Sequence, residues 1–293
     1  MGVISTKLRS YLKPSKKRQI IPFSELVEIN KESAELIDTI VKQEDLAQMD
    51  PMHALYIWLQ NIVSVFAEQV SGFKELSEFF DIIEKAEDDY MPQGPPMSPL
   101  TRSYFSLWSF FDLTFGPDQE TVGSCFLDLV DILGIPEDLN PALANMQNSR
   151  MGIYEHKGCN NNLILLKELL TDEFHPCICP AGYVGKKGEI WFARVLPPPI
   201  NSIDYHIVMI TPYVLMGHTK KEWIDFFARH SIKIDDSDRE KKMVKLMKYG
   251  KSRHYWNDYI MDAYANNRHD VIFLRGIPDL PKTLPHSSVN NDW

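Results

Sequence analysis

A chain of 293 residues, 44% hydrophobic and 24% charged, carries enough apolar material to bury a core unaided, which excludes a largely disordered or disulfide-stapled protein. Its net charge of −9 is split: Lys7, Arg9, Lys13, Lys16, Lys17 and Arg18 put +6 into the first 18 residues and leave −15 for the remainder. An acidic body repels phosphate backbones, and four cysteines are too few for a secreted framework, so broad nucleic-acid binding and an extracellular setting are both disfavoured.

Residues 1–20 read as a flexible basic arm, interrupted by Pro14 and free of acidic residues. Met1, Gly2 and Thr6 match the acylation pattern M-G-x-x-x-[ST], and the six cations behind Gly2 are the usual second signal for an anionic membrane. Each contributes about 1 kcal/mol near such a surface. The expected location is therefore cytoplasmic, with peripheral attachment to membrane through this arm.

Residues 21–150 read as a helical region. Ser24 opens a helix to about Gln48, and Asp50-Pro51 opens a second to about Val70. That pair combines a side-chain acceptor with a proline whose missing N–H costs nothing in a first turn. The second helix is apolar on most faces and is expected at the centre of a core. A third runs from Phe73 to about Asp89. Four prolines and a glycine make Met91–Pro99 a loop. The aromatic run Tyr104–Phe115 is expected in the core. A helix over 119–133, closed by Gly134 and Pro136, and a short one ending near Arg150 complete the region.

Residues 151–285 read as a sheet followed by helices. Short apolar runs at 153–154, 163–166, 174–179, 189–196 and 205–210 are separated by Gly, Asn and Pro, the pattern of a small antiparallel sheet or partial barrel. Gly182–Gly188 is expected to be a hairpin turn. Helices follow over 220–230, 239–248 and 255–266, then a strand over 271–274, and a loose tail over 286–293. The fold class is α+β: a helical N-terminal region packed on the sheet, with further helices at the C-terminus.

His156, Cys159, His175, Cys177 and Cys179 are five soft-metal ligands within 24 residues. Zinc takes thiolate and imidazole in tetrahedral sets, and period two places His175, Cys177 and Cys179 on one face of a strand. The spacing lacks the paired C-x-x-C of a structural zinc site, so no cofactor at all stands beside zinc. A cysteine nucleophile with a histidine base is a further use of the same residues. Arg150, Glu155, His156, Asp204 and His206 lie at strand edges where acid–base groups converge in a cleft, with His156, Asp204 and His206 as candidate catalytic residues. Lys245, Lys248, Lys251 and Arg253 interleave with Tyr249, Tyr255 and Trp256, a pattern that suits single-stranded nucleic acid.

No phosphate loop, nucleophile elbow, H-E-x-x-H or EF-hand pattern occurs in the sequence. The expected function is a binding or regulatory protein acting through protein–protein contacts. Metal-assisted hydrolysis and nucleic-acid binding are the alternatives.

Overall fold

The structure, a computed structural model, describes residues 1–12, 46–95, 97–200, 202–231 and 236–287. The helix expected over Ser24–Gln48 lies almost wholly outside them. The chain forms two compact units, residues 1–84 with 107–148 and residues 85–106 with 149–293. Among the described residues no helix is long and apolar enough to cross a membrane.

The first unit is helical. Its elements among the described residues are α1 (Val3–Leu12), α2 (Pro51–Gln69), the start of α3 (Ser77–Tyr90), the end of α4 (Arg102–Phe111), α5 (Val122–Leu127), α6 (Val130–Leu133) and α7 (Asn140–Asn148). The Asp50 carboxylate accepts from the N–H groups of Met52 and His53 at 3.0 and 3.2 Å, so α2 begins where the Asp-Pro pair predicts. Met52, Tyr56, Leu59, Val63 and Phe66 are buried at intervals of three and four, so α2 presents one face to the core rather than all faces. The helix expected over 119–133 is two. Leu129, at φ −117° and ψ 0°, leaves helical geometry and separates α5 from α6, which Gly134 then ends in the left-handed region at φ 67°.

Helix α1 corrects the expectation of a flexible arm, for residues 3–12. Ile4 and Leu8 are 3% and 0% exposed, and Tyr11 stacks on Phe73 with ring centroids 5.1 Å apart. A helix N-terminus leaves N–H groups unpaired, and here carboxylates from elsewhere in the unit take them. Asp118 accepts from Val3 N–H at 2.8 Å, and Glu120 accepts from Ile4 N–H at 2.8 Å, Ser5 N–H at 2.9 Å and the Ser5 hydroxyl at 2.5 Å. Arg9 pairs with Asp131, and Lys7 lies 3.6 Å from Glu75. The basic leader thus spends part of its charge on the acidic body behind it.

The second unit holds the sheet: β1 (Met151–Asn160), β2 (Leu163–Glu168), β3 (Phe174–Ile178), β4 (Ile190–Leu196), β5 (His206–Val208), β6 (Tyr213–Met216), β7 (Tyr264–Arg268) and β8 (Val271–Arg275). Helices α8 (Lys220–Ser231), α9 (Asp236–Tyr249) and α10 (Tyr255–Ala263) lie between β6 and β7 in the chain. Strand order is β1-β2-β3-β5-β4-β6-β8-β7, and β1 also pairs with β4. Five strands therefore close on themselves in the cycle β1-β2-β3-β5-β4. Six pairings are antiparallel, and β3–β5 and β6–β8 are parallel. The connectivity of the closed part is that of an OB-type Greek-key barrel. The fold is α+β, with helices before the sheet and more after its barrel strands.

Period-two alternation fills the barrel. Ile164 and Leu166 of β2, Cys177 of β3, and Trp191, Ala193 and Val195 of β4 belong to one buried cluster with Tyr154 and Val208. Phe192 points the other way, toward Trp256 and Tyr259 of α10, with Tyr213 beside it; the Phe192 and Trp256 ring centroids are 5.1 Å apart. Closure removes strand edges, and among the described strands β7 alone is left without a neighbour on one side.

Three features of this unit differ from expectation. Gly182–Gly188 is not a hairpin turn, because β3 and β4 on either side of it are not neighbours; it is a connecting loop with Gly182, Gly185 and Gly188 at positive φ. Residues 264–266, expected to end a helix, instead open β7: Tyr-Ala-Asn-Asn-Arg has little strand propensity of its own and is held by its ladder to β8. His286 and Ser287, expected in a loose tail, are held: His286 N–H donates to the Asp262 carbonyl at 3.1 Å and Ser287 is buried.

Candidate functional site

The five candidate zinc ligands do not meet. Among the described residues no group of three or more His, Cys, Asp or Glu is arranged to hold a metal ion. His156 is 1% exposed with both ring nitrogens occupied: Nε2 lies 2.9 Å from the Val184 carbonyl, to which it donates, and Nδ1 accepts from Gly158 N–H at 3.2 Å. Cys159 is exposed at the β1–β2 turn, its thiol 2.8 Å from the Asn161 carbonyl. Cys177 and Cys179 are barrel core, and burial pushes both thiols up, Cys179 to about 11. A nucleophilic cysteine needs the opposite shift, so neither fits that role.

The acid–base set also divides. Glu155 faces outward between Lys220 at 2.8 Å and Lys157 at 2.9 Å, whose hydrogen bonds hold its carboxyl below the usual range. Asp204 is exposed. Lys248, of the proposed nucleic-acid patch, is buried with its ammonium 2.7 Å from the Ser149 carbonyl.

What the fold does assemble is a new combination. His175 of β3 and His206 of β5 face one another, Nδ1 to Nε2 at 3.4 Å with ring centroids 4.8 Å apart. Their other nitrogens, His175 Nε2 and His206 Nδ1, are buried without a hydrogen-bond partner. Tyr154 packs edge-on to His175 at 5.8 Å. Beside them Arg150 and Glu168 form an ion pair at 2.6 Å whose side chains are 12% and 5% exposed. Thr171 donates to the second Glu168 oxygen at 2.9 Å. Burial lowers both imidazoles, His206 to about 4 with help from its neighbour His175. Burial works against the Arg150 charge, and Glu168 first, then Tyr154 and Glu240, together more than restore it. The pair can share or exchange a proton. The carboxylate beside it, however, is already engaged by Arg150 and Thr171, so a free base is not on offer.

Glu168 is the member that sequence reading passes over. Its signal is parity: it follows Ile164 and Leu166 at intervals of two, which puts a carboxylate on the inward face, where it needs a partner.

The outer surface of the same strands carries the second feature. Leu163, Leu165 and Lys167 alternate outward on β2, and register sets Leu165 opposite Pro176 and Lys167 opposite Phe174 on β3. Leu163, Leu165 and Phe174 are 39%, 37% and 53% exposed. The Lys167 ammonium lies 5.2 Å from the Phe174 ring centroid and 2.6 Å from Asp172.

The lipidation residues divide as well. Gly2 and Thr6 each have a structural use: a Cβ at Gly2 would collide with the Glu120 carboxylate, and the Thr6 hydroxyl donates to the Gly2 carbonyl at 2.7 Å. Lys7 and Arg9 are engaged as described above, and Lys13, Lys16, Lys17 and Arg18 lie outside the described residues.

The chain matches no protein-family model, and no curated protein or solved structure is significantly similar to it.

Proposed function

We propose that this chain is a protein-binding module whose contact surface is the outward strip of β2 and β3. The observation that carries the reading is the exposure of Leu163, Leu165 and Phe174 side by side on one barrel face. Contiguous apolar side chains on an otherwise polar surface stabilise contacts by leaving water, and large ones anchor interfaces. Barrels of this connectivity use the face of strands 2 and 3 for ligands, an analogy of fold only.

Protein suits the strip better than nucleic acid does. Stacking along a single strand needs successive aromatic rings in a cationic groove, and Phe174, opposite Lys167 at one end of the strip, is its one aromatic beside the two leucines. The neighbouring charges are Lys157, Lys167 and Lys220 against Glu155 and Asp172, an excess of one cation. The partner expected is an apolar protein segment with acidic flanks. The basic arm is not needed for this contact.

The double replacement Leu165→Glu with Phe174→Glu tests it. Both sites are exposed, so folding should change by less than about 1 kcal/mol. Proteins captured from the source-cell extract by the wild-type chain should be lost by the double variant and kept by Lys187→Glu, a control in the β3–β4 loop. Equal capture by all three overturns the proposal. So does tight binding of oligothymidylate with a steep salt dependence, which favours the nucleic-acid alternative.

A further inference from the structure

The strand β5 is the least secured member of the barrel. It is three residues long, and two-residue ladders join it to β3 on one side and to β4 on the other. By contrast, β1 pairs with β2 over six positions and with β4 over five. The first residue of β5 is His206, and its ring closes on His175 across the short parallel seam. We propose that the His175–His206 pair is a proton-operated latch, so that mild acidification releases β5 from β3 and opens the barrel at that seam.

Geometry makes the pair sensitive to protonation of both rings. At 3.4 Å one ring donates and the other accepts, an arrangement available while at least one imidazole is neutral. Two imidazolium rings would have two donors facing each other with no acceptor between them. The remaining nitrogens are buried without hydrogen-bond partners; protonation would make a new N–H donor at His175 with no acceptor, and at His206 only the Pro176 carbonyl is at hand.

The surroundings oppose charge more than they welcome it. Glu168 and Glu173 favour a proton on His175, whereas Arg150 and burial disfavour it. Only the Pro176 carbonyl favours a proton on His206, against burial and its neighbour. Tyr154 of β1 and Cys177 of β3 stay neutral, both pushed up by burial, and Arg194 of β4 adds a second cation to the Tyr154 surroundings.

The sign follows. Both histidines take up protons more readily when released than when closed, so closure is complete above the ordinary histidine range. It is lost as pH falls from about 6.5 toward the folded value of about 4 for His206. Phe174, next in the chain to His175 but facing outward, would feel the release. That consequence alone rests on the protein-binding reading.

Hydrogen exchange on the full chain, corrected for intrinsic rates, tests the latch without any partner. Between pH 7.5 and 5.0, which stays above most carboxylate titration, the amides of residues 207–209 should lose protection about 10- to 30-fold relative to the β1–β2 ladder. The paired replacement His175→Gln with His206→Gln should abolish that pH dependence, and either single replacement should reduce it. Protection at 207–209 that stays flat in the wild type, that falls in step with β1–β2, or that keeps its pH dependence in the paired glutamine variant overturns the proposal.

Discussion

Replacing Glu168 by Ala is expected to destabilise the second unit by about 3–5 kcal/mol, the largest single effect of any substitution considered. The replacement leaves the Arg150 guanidinium where it is, with its side chain 12% exposed and its remaining hydrogen bond running 3.2 Å to the Met151 carbonyl. The cation left in the barrel wall then has little water and, besides the weaker attraction of Glu240, no counter-charge. The Thr171 hydroxyl, which donates to the same carboxylate, is stranded too. Chemical denaturation followed by near-ultraviolet circular dichroism would read the loss as a lower midpoint, with Trp191 in the barrel core as reporter.

The pair itself is not expected to contribute net stability of that size. Taking both charges out of water offsets most of their attraction, so Arg150→Met combined with Glu168→Leu should fall within about 1 kcal/mol of wild type or exceed it. A severe single variant with a mild double variant is the signature of mutual dependence. If Glu168→Ala alone proves mild, the ion pair is solvated in solution and the polar end of the barrel is more open than its burial indicates.

Much of this architecture is readable from residue order, and the unreadable parts have identifiable causes. The Asp50-Pro51 start, the Gly134 stop and the strand runs over 163–166 and 189–196 rest on local chemistry, and each lies where that chemistry puts it. Strand β7 is not local: Asn266 and Asn267 become strand because β8 offers a ladder. The site follows the same division. Arg150, His175 and His206 stand out by residue type, yet in the sequence they fall into two separate constellations, one for metal and one for acid–base work. Only the parallel pairing of β3 with β5, a contact between segments nearly thirty residues apart, brings the two histidines together. Period-two reasoning places His175 with Cys177 correctly but cannot tell which strand lies alongside.

Replacing Glu120 by Ala is expected to free α1, with a loss of about 2–4 kcal/mol in the docking of residues 1–12. Glu120 is 7% exposed and accepts from two backbone N–H groups and one hydroxyl in the first turn of that helix, so one side chain supplies most of its N-terminal cap. A helix of ten residues has little stability in isolation, and without the cap its buried residues Ile4 and Leu8 must hold it alone. Limited proteolysis should cut the variant within residues 1–12 at enzyme levels that leave the wild type intact. Gly2→Ala should act in the same direction, because the added methyl meets the Glu120 carboxylate. Arg9→Ala should act weakly and only at low salt, since its partner Asp131 is exposed. This ordering separates two accounts of the basic leader. If capping and burial hold α1, salt leaves it docked. If attraction between leader and body holds it, moderate salt alone should release it, and the Glu120 variant should add nothing further.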